Sequence, residues 1–188
     1  MTISEIKDRL KAGNERFICD ELEGNLTDKA RRAELTSGQA PHTIVLSCAD
    51  SRVVPELAFD SGLGELFVVR VAGNVANSSS LGSIEYAVAH CGSQLIVVLG
   101  HQSCGAVTAA VNGGDNGYSI NHLLSHITPA IAAAPEGASI ADVVKKNAEL
   151  TAKEIVARST IVSGAVTSGK VEIVPAYYNL DTGRVDFL

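Results

Sequence analysis

The sequence predicts an α/β fold with a central, mostly parallel sheet flanked by helices, and three observations carry that prediction. Short apolar runs of strand character recur at 43–47, 66–71, 95–99 and 171–176. Helix-like segments fill the intervals, and strands alternating with helices imply parallel pairing through crossovers. Near the carboxyl terminus, Asp181-Thr182-Gly183 is a turn signal, so the last strand should return antiparallel at the sheet edge.

In chain order, residues 4–17 set Ile6, Leu10 and Phe17 among charges, the pattern of an amphipathic helix with Ser4 as its cap. A second short helix is expected at 28–35. Together they form a helical arm over residues 1–38. It holds too few apolar residues to be a domain, and should pack against the main body or a neighbouring subunit. The α/β core is expected over 39–188, so that residues 1–188 make a single domain. Helices should lie at 81–90, 106–111 and 121–133. A longer one at 141–157 takes its apolar face from Val143, Val144, Ala148, Ile155 and Val156.

Composition narrows the function. With 46% hydrophobic and 19% charged residues, the chain is globular in character. A net charge of -6 without clustered Lys and Arg offers no footprint for nucleic acid or an anionic membrane. The opening residues lack the apolar core of a signal peptide, and no apolar run approaches bilayer length. The expectation is a cytoplasmic protein. In that reducing setting the 4 cysteines argue for metal or catalysis before disulfides. Cys19 and Cys91 have uninformative neighbours and are read as small packing residues.

Cys48 and the pair His101/Cys104 stand apart from these. Each follows an apolar strand, and groups just beyond the carboxyl ends of neighbouring parallel strands converge on one crevice. Two thiols and an imidazole delivered there are three of the four ligands of a tetrahedral zinc ion, with the fourth position left for water. Gly100 permits a tight exit from its strand and Gly105 a helix start, which puts Cys104 at a helix amino-terminus that favours thiolate. Asp50 and Arg52 share the turn after Cys48, close enough for an ion pair beside the metal. Asp50 could then be a fourth ligand or accept a hydrogen bond from zinc-bound water. Two rival motifs fail on their letters. A cysteine-phosphatase loop needs arginine where Val54 stands, and a phosphate-binding P-loop needs Lys-Ser/Thr where Ala106-Val107 follow Gly105.

Cys48-Ala49-Asp50-Ser51-Arg52 and Gly100-His101-Gln102-Ser103-Cys104-Gly105 closely resemble the two signature motifs of the β-class carbonic anhydrases. Gly64-Glu65-Leu66-Phe67-Val68-Val69-Arg70 and Ser83-Ile84-Glu85-Tyr86-Ala87-Val88 extend the resemblance in the same order. It implies a zinc enzyme that reversibly hydrates carbon dioxide to bicarbonate through zinc-bound hydroxide. Cys48, His101 and Cys104 would be the ligands. Asp50 would be switchable, held by Arg52 in open members and bound to zinc in closed ones. Gln39 matches a glutamine that hydrogen-bonds substrate in plant-type members. Phe67, Ala72 and Tyr86 match pocket residues, of which Phe67 and Tyr86 come across a dimer interface in the family. His90 matches a proposed proton shuttle.

The resemblance thus implies a homodimer or higher homo-oligomer. Ala72 stands where many members carry the bulkier Val, and the chain lacks the Trp used by the bicarbonate-inhibited subgroup. Carbonyl sulfide or carbon disulfide hydrolysis on the same scaffold is the nearest alternative. A non-catalytic, zinc-stabilised interaction module is a more distant one, and it would have no use for Asp50, Arg52 and Gln39.

Overall fold

Thr43–Ser47 is the strand about which the sheet is built. All five of its residues are buried, as expected where a sheet is covered on both faces. The computed structural model, which describes Met1–Leu188, pairs this strand (β1) in parallel with β2 (Leu66–Arg70) and with β3 (Leu95–His101). β4 (Glu172–Tyr178) adds parallel to β3, and β5 (Val185–Phe187) pairs antiparallel with β4. The order is β2-β1-β3-β4-β5, the predicted fold class with its antiparallel edge. From β1 the chain goes out to β2 and then returns to the other side of β1. The topological switch point therefore lies between the carboxyl ends of β1 and β3.

Nine α-helices surround the sheet. They are α1 (Ile3–Ile18), α2 (Lys29–Glu34), α3 (Pro55–Ala58), α4 (Ser78–His90) and α5 (Gly105–Asn112), then α6 (Tyr118–Ser125), α7 (Thr128–Ala133), α8 (Ile140–Arg158) and α9 (Thr160–Thr167). The pleat sends alternate residues to opposite faces. Ile44, Leu46, Ile96 and Val98 share one core with Ile84 of α4, Ala148 and Ile155 of α8, and Val162 of α9. Val45, Leu95, Val97 and Leu99 share the other with Ile6 and Leu10 of α1 and with Phe59 beyond α3. A third cluster, including Cys48, Cys104, Val107, Ile127 and Val144, gives the switch point apolar surroundings.

Local chemistry explains where the elements depart from expectation. α1 is capped by Thr2 rather than Ser4, because Thr2 and Glu5 form a capping box, each side chain accepting from the other's backbone N–H. The helix expected at 121–133 is two helices, α6 and α7, since Pro129 has no N–H and fits only the first turn of a new helix. α3 and α9 were not anticipated. α9 begins at Ser159, whose hydroxyl accepts from the N–H of Val162. α1 lies on the sheet of its own chain, where Asn14 donates to the carbonyls of Ala58 and Gly183 at 2.9 Å and accepts from the N–H of Val185 at 2.8 Å. No helix is long and apolar enough to cross a membrane.

Candidate metal centre

β1 ends at Ser47 and β3 at His101, so Cys48 and His101 leave adjacent parallel strands at the switch point. Cys104 follows as the residue capping α5. Between the last two, Ser103 takes a φ of 54°, a left-handed turn that costs a non-glycine residue about 1–2 kcal/mol and bends Cys104 back toward His101. Gly100 is required sterically, since a Cβ there would stand 2.8 Å from Cγ1 of Val144 in α8. The ligand atoms of Cys48, His101 and Cys104 all lie within 4.8 Å of one another, and all three residues are buried. This is the trio singled out by the sequence.

The donor set fits a metal on its own chemistry. His101 Nδ1 lies 2.8 Å from the carbonyl oxygen of Gln102. A carbonyl can only accept, so Nδ1 carries the proton, and in the neutral ring a metal requires Nε2 presents a lone pair. That Nε2 is buried and has no hydrogen-bond partner in the protein, an arrangement that costs free energy unless a ligand fills the place. Beside it, the contact with Cys104 pulls Cys48 toward thiolate, helped by His101 and the N–H of Gly73, while Cys48 and burial hold the proton on Cys104. Two sulfurs and one imidazole nitrogen suit zinc, with a position to spare.

Asp50 stands at the edge of this group, one carboxylate oxygen 3.9 Å from His101 Nε2. Arg52 grips it in a fork: Nε donates to Oδ1 at 3.0 Å and Nη2 to Oδ2 at 2.7 Å. The Arg52 backbone N–H donates to Oδ1 as well, and the fork continues to the carbonyl of Ser103. Held this way, Asp50 is pushed well below the ordinary carboxylate range, chiefly by the Arg52 side chain.

Four residues around the centre make contacts that were not foreseen. Arg70, at the end of β2, donates to the carbonyls of Cys48 at 3.0 Å and Asp50 at 2.6 Å, bracing the turn that carries both. Gly73 donates its N–H to Cys48 Sγ at 3.3 Å. Asn147 of α8 donates to the Gly73 carbonyl at 2.9 Å. Gln102 is fastened to the turn after β4, donating to Asp181 at 2.7 Å and accepting from the N–H of Leu180 at 2.8 Å. Arg70 and Gln102 were visible in the sequence as parts of motifs, though their partners were not. All of these contacts join residues too distant along the chain for the contact itself to leave a local signal.

The remaining sequence candidates divide. Ala72 sits in the turn beside Gly73, whose N–H meets Cys48 Sγ. Gln39 is exposed in the loop leading into β1, at the opposite end of that strand from Cys48. Phe67 lies near the start of the edge strand β2, with the rings of Phe67 and Tyr86 6.4 Å apart and those of Tyr86 and His90 5.0 Å apart. α4 runs from the carboxyl end of the sheet back to its amino end, which carries Tyr86 and His90 away from their own chain's Cys48. Within one chain, then, Gln39, Phe67, Tyr86 and His90 are not brought to the centre.

Comparison with known proteins gives a consistent picture. Residues 43–185 match the family described as carbonic anhydrase. Carbonic anhydrase 2 of Mycobacterium tuberculosis is 42% identical over 182 residues, spanning 93% of this chain and 87% of that one. Among solved structures, the Coccomyxa β-carbonic anhydrase in complex with acetazolamide superposes with a TM-score of 0.77 at 26% identity, covering 98% of this chain and 82% of that one. A tetrameric β-carbonic anhydrase of Sordaria macrospora superposes at 0.75 with 24% identity, over 84% of this chain and 85% of that one.

Proposed function

This chain belongs to the β class of the carbonic anhydrase family, and from that premise we propose that it hydrates carbon dioxide reversibly at a zinc ion held by Cys48, His101 and Cys104. The observation that carries the reading is the buried, unpartnered Nε2 of His101 beside two thiols, with a carboxylate locked by arginine at its edge. Zinc held there supplies Lewis acidity, bringing the ionisation of water toward neutral pH and making a nucleophile available to carbon dioxide.

The chain's own residues do the rest. Cys48 and Cys104 bind as thiolates and His101 through Nε2, its Nδ1 proton anchored on the Gln102 carbonyl. Asp50, kept ionised by Arg52, accepts a hydrogen bond from the attacking water and aims its lone pair at the substrate carbon. The same fork keeps the carboxylate from taking the open position itself. Val71 and Ala72 flank the centre on the turn leading to Gly73, an apolar approach suited to a substrate without charge.

Gln39, Phe67 and Tyr86 lie away from their own chain's centre, and this placement supports a homodimer in which they serve the partner's site. Gln39 would donate to a substrate oxygen there and the two rings would line the pocket. His90, its ring tilted against that of Tyr86, would carry protons outward at the same interface.

The test is stopped-flow carbon dioxide hydration by the zinc-loaded protein and by Asp50→Asn. The variant should lose about 100-fold in kcat/KM with its zinc content unchanged. Full hydration activity in Asp50→Asn would remove the role given to Asp50, and a zinc-loaded parent without hydration activity would remove the reading as a whole.

A further inference from the structure

We infer that Asn147 of α8 is a positioning residue for the Cys48 thiolate, acting through the turn at Ala72–Asn74. The inference rests on Cys48 being a metal ligand and reaches beyond the ligand set to the group that controls it. Gly73 has φ 69° and ψ 15°, in the left-handed region where glycine moves freely and nothing in the residue itself fixes its peptide groups. Two outside contacts fix them. Its N–H donates to Cys48 Sγ at 3.3 Å, and its carbonyl accepts from Asn147 Nδ2 at 2.9 Å. Ile127 and Ala106 close over its Cα, where a Cβ would stand 2.8 Å and 3.4 Å from their side chains.

Asn147 is an unusual choice at this place. Asparagine is a poor helix former, and this one is only 2% exposed in the middle of a 19-residue helix. A buried amide is tolerated where it is hydrogen-bonded, and the Gly73 carbonyl is the partner it meets. The arrangement is a relay from α8 through Gly73 to sulfur. An N–H held against a thiolate draws electron density from the sulfur, which sets how strongly it donates to a metal. α8 also donates through Arg158 to the carbonyl of Ala76 at 2.6 Å. That contact secures the same segment without touching Gly73, and so supplies a control.

The experiment loads the full chain with cobalt(II) and reads the thiolate-to-cobalt charge-transfer band in the near ultraviolet. Asn147→Leu keeps the bulk and removes the donor; Asn147→Ser is shorter, cannot span the gap, and serves alone if the leucine variant does not fold. Both should move the band to longer wavelength, because a thiolate relieved of its N–H partner releases charge more easily. Both should also weaken zinc binding by about 10- to 100-fold in competition with a chelator, because the freed turn no longer holds the sulfur in place for the ion and this loss of positioning outweighs its stronger donation, while Arg158→Leu leaves the band in place. A band unmoved in the Asn147 variants, or moved equally by Arg158→Leu, overturns the inference. A parent protein without any thiolate band removes Cys48 as a ligand and this inference with it. A parent band that stays put in the Asn147 variants removes the positioning role alone.

Discussion

His42, apart from His101, is the only buried histidine, and its surroundings give the fold a pH dependence separate from the metal centre. Its Nδ1 lies 2.8 Å from the Thr43 hydroxyl, and its Nε2 is buried without a partner. Burial lowers its pKa; the Glu65 carboxylate, itself paired with Arg9, pulls the other way. The unfolded chain binds this proton near pH 6.5, at about its ordinary value, and the folded chain only at lower pH. His42 therefore contributes stability that is fully present above that value and is lost as the pH falls through the folded one. Urea midpoints at pH 7.5 and 5.5 should fall further in the parent than in His42→Gln, with the extra slope no steeper than about 1.4 kcal/mol per pH unit. Equal slopes would refute this. Single residues also mark the limit of what the sequence discloses. Cys48, His101 and Cys104 were legible because thiol and imidazole at strand ends have few uses besides metal or catalysis. Asp50 and Arg52 were legible because they share one turn. Asn147 was not, since it meets Gly73 from a helix far along the chain, and asparagine carries no chemistry that advertises the meeting.

Among the elements, α1 offers the sharpest test, because its sequence suggested an arm and its packing makes it part of the sheet's cover. Ile6 and Leu10 are fully buried against the residues of β1 and β3 that face α1. Gly13 brings the helix so close to the chain beyond α3 that a Cβ there would overlap the Phe59 carbonyl at 1.9 Å. We propose that residues 1–188 unfold as one unit, arm included. Leu10→Ala should then cost about 2–5 kcal/mol in a single urea transition, while the exposed Asp8→Ala stays within about 0.5 kcal/mol. A separate early transition for α1 would count against the proposal. The strands β1 to β4 were legible in place, though not in their order across the sheet, because covered parallel strands are written as unbroken apolar runs. The helices were less so. α9 holds Gly164 and several β-branched residues, which obscure its period, and α3 is too short to have one. Pro129 and the Thr2–Glu5 box were signals present in the letters, and they mark two of the boundaries where expectation and structure part.

At the scale of the whole molecule, the proposed homodimer turns the placement of candidate site residues at two ends of the sheet into part of the chemistry. The resemblance already implied a dimer interface for Phe67 and Tyr86, but for Gln39 the letters alone do not say whose pocket it serves, because neighbouring letters record one chain and the proposed dimer site draws on two. The fold puts them beside the β2 edge, away from the Cys48 at the end of β1. The consequence is measurable by mixing subunits. Cys48→Ser removes a ligand from its own chain's centre and leaves its Gln39 intact; Gln39→Ala does the reverse. Each variant alone should be nearly inactive. If Gln39 serves the partner's site, a hybrid dimer holds one intact site, built from Cys48 of one chain and Gln39 of the other. Reassembly of the two variants in equal amounts makes half the dimers hybrid, so hydration should return to about a quarter of the parent's rate for closed two-fold assembly. If Gln39 served its own chain's site, every site in every hybrid would carry a defect and no activity would return. Activity that stays at the level of the separate variants, with hybrid formation verified by differently tagged subunits, therefore rejects the shared site and leaves the metal centre as a single-chain device.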